Sequence, residues 1–132
     1  MRLVIDTNVL IAAFISHGVC NELLEHCVLK HDVILSKFIL DELKDKLTDK
    51  FKFTNREANA VVSLLRSRCS VVDTQTLPFP VSRDPDDDNI IATAISGTCR
   101  CIISGDKDLL DLKKAGDILI VSPGQFWRIE AT

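Results

Sequence analysis

Five short apolar runs constrain this chain more than any other feature: RLVID (2–6), DVILS (32–36), SVVDT (70–74), RCIIS (100–104) and DILIVS (117–122). They are rich in β-branched residues, and their apolar positions follow one another instead of alternating with polar ones. A strand with one wet face alternates, whereas a strand covered on both faces does not. Between the runs lie stretches with helical spacing: TNVLIAAFI, VCNELLEHCVL, KFILDELKDKL, the span from Thr54 to Arg68, the stretch after Asp84 and a short GDKDLLDL. Helix signals fall where the pattern needs them. Ser36 can cap the third helix, Thr54 with Glu57 three residues on makes a capping box, and Asp84-Pro85 opens a helix that should end near Gly97. Strand and helix therefore alternate. The expectation is an α/β, three-layer sandwich with a mostly parallel five-stranded sheet covered on both faces. No internal repeat and no linker interrupts the 132 residues, so 1–132 reads as a single domain.

Composition narrows the class. The five cysteines, at 20, 27, 69, 99 and 101, are odd in number and form no CxxC, which argues for reduced, buried thiols over a disulfide framework. His17, His26 and His31 fall near Cys20 and Cys27, but their spacing matches no common zinc pattern. The apolar N-terminal run is interrupted by Asp6 and Asn8 and lacks a clean cleavage site, so it does not read as an export signal. No stretch reaches the ~18 apolar residues of a spanning helix. A cytoplasmic protein without a membrane partner is expected. The formal charge is −3, yet it is uneven: Lys44 to Arg68 holds seven basic residues against three acidic ones, a local +4 that leaves −7 elsewhere. Such a chain is not a broadly basic nucleic-acid binder, but it has one basic region.

The acids fall at related places. In a parallel α/β sheet ligands bind beyond the carboxyl ends of the strands. Asp6 closes the first apolar run, and Asp106 follows the fourth by two residues. Asp84, Asp86, Asp87 and Asp88 precede the helix that feeds the fourth strand. Glu42 lies in the second turn of the helix after the second strand, about 60° from Ile39 and about 40° from Phe38 on a helical wheel, at the border of the apolar stripe. Each has a plain structural explanation. Asp84 caps a helix, its neighbours complement the helix dipole, and Glu42 precedes Lys46 by the spacing of a surface ion pair. Asp6 resists such an explanation, because a carboxylate ending a buried strand is costly without a partner. Crowded carboxylates oppose one another's ionisation, and a divalent cation removes the conflict. Hard oxygen ligands with no Cys or His beside them select Mg²⁺ or Mn²⁺, which points to phosphate chemistry. On this reading Asp84 serves the helix and Asp87 the metal, with Asp86 and Asp88 solvated or in support.

These residues resemble the PIN-domain family of metal-dependent ribonucleases. VIDTNVLIAA is similar to its opening strand and helix, with Asp6 as the first metal ligand and Asn8 as the polar residue that orients the acids. SKFILDEL resembles the region of the family's glutamate, here Glu42. DPDDDNIIATA resembles the third acid motif, giving Asp87, with Asp88 as the next best choice. IISGDKDLL resembles the fourth, giving Asp106, with Ser104 in a small hydroxyl position and Asp108 close by. The resemblance spans nearly the whole chain and is nearest to the small prokaryotic (VapC-like) toxin components of toxin–antitoxin pairs. It implies a strand order 3-2-1-4-5, a homodimer, an RNA substrate, a cognate antitoxin and metal-dependent cleavage leaving 5′-phosphate and 3′-hydroxyl ends. Asp6, Glu42, Asp87 and Asp106 would be both metal ligands and the catalytic set. Lys44, Lys46, Lys50 and Lys107 are candidates for guiding the RNA backbone, or else solvated helix faces. Phe51 and Phe53 suit a loop or dimer contact as well as base stacking, and Trp127 suits packing. Two alternatives stand beside this reading. One is a non-catalytic module of the same fold that binds RNA or a protein. The other is a phosphoryl-transfer or receiver-type domain using Asp73, which lacks the expected acid pair and closing lysine.

Overall fold

The computed structural model describes residues 1–16, 18–75, 77–78 and 80–130. The chain runs through β1 (Arg2–Ile5), α1 (Thr7–Ile15), α2 (Val19–Lys30), β2 (Asp32–Ser36), α3 (Lys37–Asp49), α4 (Asn55–Arg68) and β3 (Ser70–Val72). It continues through α5 (Pro85–Ser96), β4 (Cys101–Ile103), α6 (Lys107–Leu112), β5 (Lys114–Ala115), β6 (Ile118–Val121) and α7 (Pro123–Glu130). The strands are uninterrupted apolar runs because helices cover both faces of the sheet. Every residue of β4, all of β1 after Arg2 and all of β2 after Asp32 are buried.

The expected caps form. Ser36 Oγ accepts from the Ile39 amide at the start of α3. Thr54 and Glu57 exchange both hydrogen bonds of a capping box at α4. Asp84 Oδ1 accepts from the Asp86 amide, with Pro85 as the first residue of α5.

The sheet order is β3-β2-β1-β4-β6-β5. The first five strands pair in parallel and follow the expected order 3-2-1-4-5. A sixth strand, β5, adds an antiparallel edge to β6. It is two residues long, Lys114 and Ala115, and so leaves no apolar run to read. Its turn is built on Gly116, whose φ of 60° suits a residue without Cβ.

Two features fix the site. The crossovers change direction at β1, which has β2 on one side and β4 on the other, and a crevice opens at such a switch point beyond the strand ends. Helix α5 is held tightly over the sheet. Thr93 Oγ1 lies 2.8 Å from Ser36 Oγ in the interior, and at Gly97 an added Cβ would sit 2.6 Å from Ile34 Cγ2.

Candidate metal centre

Helices α1, α3, α5 and α6 begin at the carboxyl edge of the sheet, and three of them carry an aspartate at the N-cap: Asp6, Asp84 and Asp106. The partial positive charge of each helix start favours an acid there. Asp84 and Asp106 use their side chains as caps, with Asp106 Oδ2 accepting from the Leu109 amide at 3.1 Å. Asp6 does not cap. Its carbonyl accepts from the Val9 and Leu10 amides, and its carboxylate turns to the hydroxyl of Ser104, which donates to Oδ2 at 2.7 Å. Ser104, fully buried just past β4, also accepts from the Asp106 amide at 2.9 Å. One hydroxyl thus ties the end of β1 to the turn after β4.

Asp6, Asn8, Glu42, Lys46, Asp84, Asp86, Asp87 and Asp106 surround one polar cleft at this edge, with Ile90 as its only apolar wall. Asp87 is 5% exposed and Asp6 6%. Ser82 Oγ donates to Asp87 Oδ2 at 3.1 Å. Carboxylate oxygens of Asp87, Asp106 and Asp108 all lie within 4.8 Å of one another. Asp88 turns away, its Oδ1 accepting from the amides of Val81 (3.1 Å) and Ser82 (2.8 Å). Asp108 is held from outside the cleft by Arg83.

Burial raises the pKa of Asp6 above the usual carboxylate range; the Ser104 hydrogen bond opposes this, and the nearby charges of Glu42 and Asp106 add to it. Asp87 is pushed up to about 7, first by burial and then by the charge and hydrogen bond of Asp106 beside it. The cleft therefore gathers more carboxylate than it can keep ionised alone. Its ligand atoms are oxygens, with no Cys or His in the lining, which fits a hard divalent cation.

The structure separates the candidate basic residues. Lys46 reaches the cleft, where Nζ donates to Asn8 Oδ1 at 3.3 Å instead of pairing with Glu42. Lys50 lines an adjoining groove with Asn8, Lys46 and Phe51. Lys107 is paired with Asp111 at 2.8 Å, and Lys44 lines neither the cleft nor this groove. Asp73 follows β3 and is not part of the cleft. Two contributors were not foreseen: Ser82, which orients Asp87, and Arg83, which holds Asp108. Their position directly before Asp84 is the only signal the sequence offers, since the Arg83–Asp108 pair joins residues 25 apart in sequence. His17, considered above with the other histidines, lies outside the described residues.

Comparison with known proteins places this geometry in context. A family model described as a PIN domain matches residues 2–108. The chain is 31% identical to the uncharacterized protein MJ1680 of Methanocaldococcus jannaschii, covering 92% of this chain and 81% of that protein. Its fold is similar to VapBC2 from Rickettsia felis, solved bound to a DNA fragment from their promoter, with TM-score 0.65, 15% identity and coverage of 92% of this chain and 98% of that one. VapBC-1 from nontypeable Haemophilus influenzae matches with TM-score 0.65, 15% identity and coverage of 94% and 99%. Mycobacterium tuberculosis VapC20, a toxin that cleaves the sarcin-ricin loop, matches with TM-score 0.60, 13% identity and coverage of 89% and 98%. At these identities the structural likeness speaks to the fold.

Proposed function

The chain belongs to the PIN-domain family, and from that membership and the carboxylate cleft we propose that it is a metal-dependent endoribonuclease, the toxin component of a toxin–antitoxin pair. The observation that carries the reading is the convergence of Asp6, Glu42, Asp87 and Asp106 on one cleft, with Asp6 and Asp87 buried and both raised in pKa, first by burial and then by neighbouring carboxylates that include Asp106.

These four residues would hold one or two Mg²⁺ or Mn²⁺ ions. A bound divalent cation supplies a water of lowered pKa for attack on phosphorus and positive charge for the leaving oxygen. The chain's own part is positional. Ser104 fixes the Asp6 carboxylate and the start of α6 together, and Ser82 fixes Asp87. Lys46 and Lys50 flank the cleft on the α3 side, where a phosphodiester backbone would find positive charge. The substrate class is RNA, in keeping with the activity of VapC20. The complexes solved for VapBC2 and VapBC-1 support an antitoxin as partner, and a homodimer completes the reading.

The test is incubation of the purified chain with a structured RNA pool and a matched single-stranded DNA pool, in Mg²⁺, in Mn²⁺ and in EDTA. Cleavage of RNA alone, abolished by EDTA and restored by Mn²⁺, is the expected result. Equal cleavage in EDTA would refute the metal, and cleavage of DNA alone would refute the substrate. A folded chain that binds Mn²⁺ calorimetrically yet cuts neither pool would favour the binding-module alternative.

A further inference from the structure

A second cluster of ligand atoms lies at the opposite edge of the sheet, away from the carboxylate cleft. His26 sits just before the last turn of α2 and His31 is its C-cap, immediately before β2. Glu130 comes from α7, 99 residues further along the chain than His31. Its two carboxylate oxygens meet the two rings separately: His26 Nε2 lies 2.7 Å from Oε2 and His31 Nε2 2.5 Å from Oε1. All three ligand atoms fall within 4.8 Å of one another.

We propose that His26, His31 and Glu130 bind a zinc ion that clamps α7 onto α2. Two imidazoles and one carboxylate are an established zinc donor set that leaves a fourth position for water. A tetrahedral ion with bonds of about 2.0–2.1 Å separates its ligands by roughly 3.3 Å, a spacing that ligand atoms within 4.8 Å of one another reach by small side-chain shifts. The rings are already oriented. His26 packs against Trp127, with ring centroids 4.8 Å apart, and His31 meets the edge of buried Phe126 at 5.7 Å. The other ring nitrogen of His31, Nδ1, lies 2.9 Å from the Met1 amine. Imidazole donors favour Zn²⁺ over Mg²⁺, so the two centres sort their ions by ligand chemistry. The three side chains are half-buried, which leaves an entry path. The ion adds a cross-link between sequence-distant helices in the folded state alone, and so raises stability by linkage.

The experiment uses the full chain, stripped with EDTA and returned to excess Mg²⁺. Zn²⁺ is titrated against a chromophoric chelator while Trp127, the only tryptophan, is followed by fluorescence. One equivalent should bind, change the Trp127 emission and raise Tm. Co²⁺ in its place should give tetrahedral visible bands without a thiolate charge-transfer band, which excludes the five cysteines as ligands. Glu130→Gln and the double change His26→Gln/His31→Gln should weaken Zn²⁺ binding at least a hundredfold, with circular dichroism checking the fold. Asp6→Asn should leave Zn²⁺ binding intact, so failure here is separable from failure of the nuclease reading. Absence of saturable Zn²⁺ binding by the wild type, a thiolate band with Co²⁺, or unchanged affinity in the folded double variant would each overturn the proposal.

Discussion

Ser104 and Asp87 show how much of this centre depends on single hydrogen bonds. Ser104 Oγ serves the Asp6 carboxylate and the Asp106 amide at once. Ser104→Ala leaves both in the interior without that partner, and stability is expected to fall by about 1–3 kcal/mol, read as a shift in the urea midpoint. Asp87 acts in the opposite sense. Its carboxyl titrates near 7 in the fold against an ordinary value of 3.8, so the folded state holds a proton that the unfolded chain has lost. In EDTA, stability is therefore fully present below about pH 4 and declines as pH rises towards 7. Asp87→Asn should flatten this slope and leave the chelated protein more stable than wild type above pH 7; a stability that rises with pH over this window would contradict the argument. The places of Asp6, Asp87 and Asp106 were legible because a strand end and a helix start can be read from apolar spacing. Their directions were not. Whether Asp87 or Asp88 faces the cleft depends on the Val81 and Ser82 amides that draw Asp88 away, a contact made by a loop without periodicity.

At the scale of elements, each of the five parallel strands delivers its last residue to the same edge because parallel strands share a direction. Helix α5 then sets the height of Asp87 above β1 and β4. Its close approach is permitted by Gly97, which is buried against Ile34 on β2 and Cys99. Gly97→Ala should cost about 1–3 kcal/mol through overpacking, since the new carbon would meet a β-branched side chain in the core. A thermal melt within a degree of wild type would show that α5 is not held there. Helices α1 to α6, the five parallel strands and the caps were legible from runs, spacing and capping residues, whereas the closing α7 was not read as a helix, and β3 stops at Val72 as an edge strand with Ser70 and Val71 exposed. Strand β5 was not legible, being two residues joined to β6 through a glycine turn, where pairing rather than pattern makes the strand. The histidine cluster was half legible. His26 and His31 stand out in the sequence, but their partner is Glu130, brought near only when α7 returns across the sheet.

Across the whole molecule, the charge sorts by edge. Acids collect where helices α1, α3, α5 and α6 begin beyond the carboxyl ends of β1 and β4, with Lys46 and Lys50 beside them. The histidine–glutamate cluster lies at the amino edge of β2. Among the described residues, no single helix is long and apolar enough to cross a membrane. The fold was legible as a whole because alternating buried runs and amphipathic helices admit few parallel arrangements. The chemistry was legible only as far as the acids point to a shared cation. The most direct measurement of the central claim is cleavage of a structured RNA pool in Mn²⁺ by wild type beside Asp6→Asn, with circular dichroism on both. Asp6→Asn removes one buried charge, keeps the shape of the side chain and leaves Ser104 an acceptor. The expected result is a folded variant whose cleavage is lost by a factor on the order of 10² or more, the scale of losing about 3 kcal/mol of transition-state stabilisation. A folded Asp6→Asn protein that cuts RNA at the wild-type rate would contradict it.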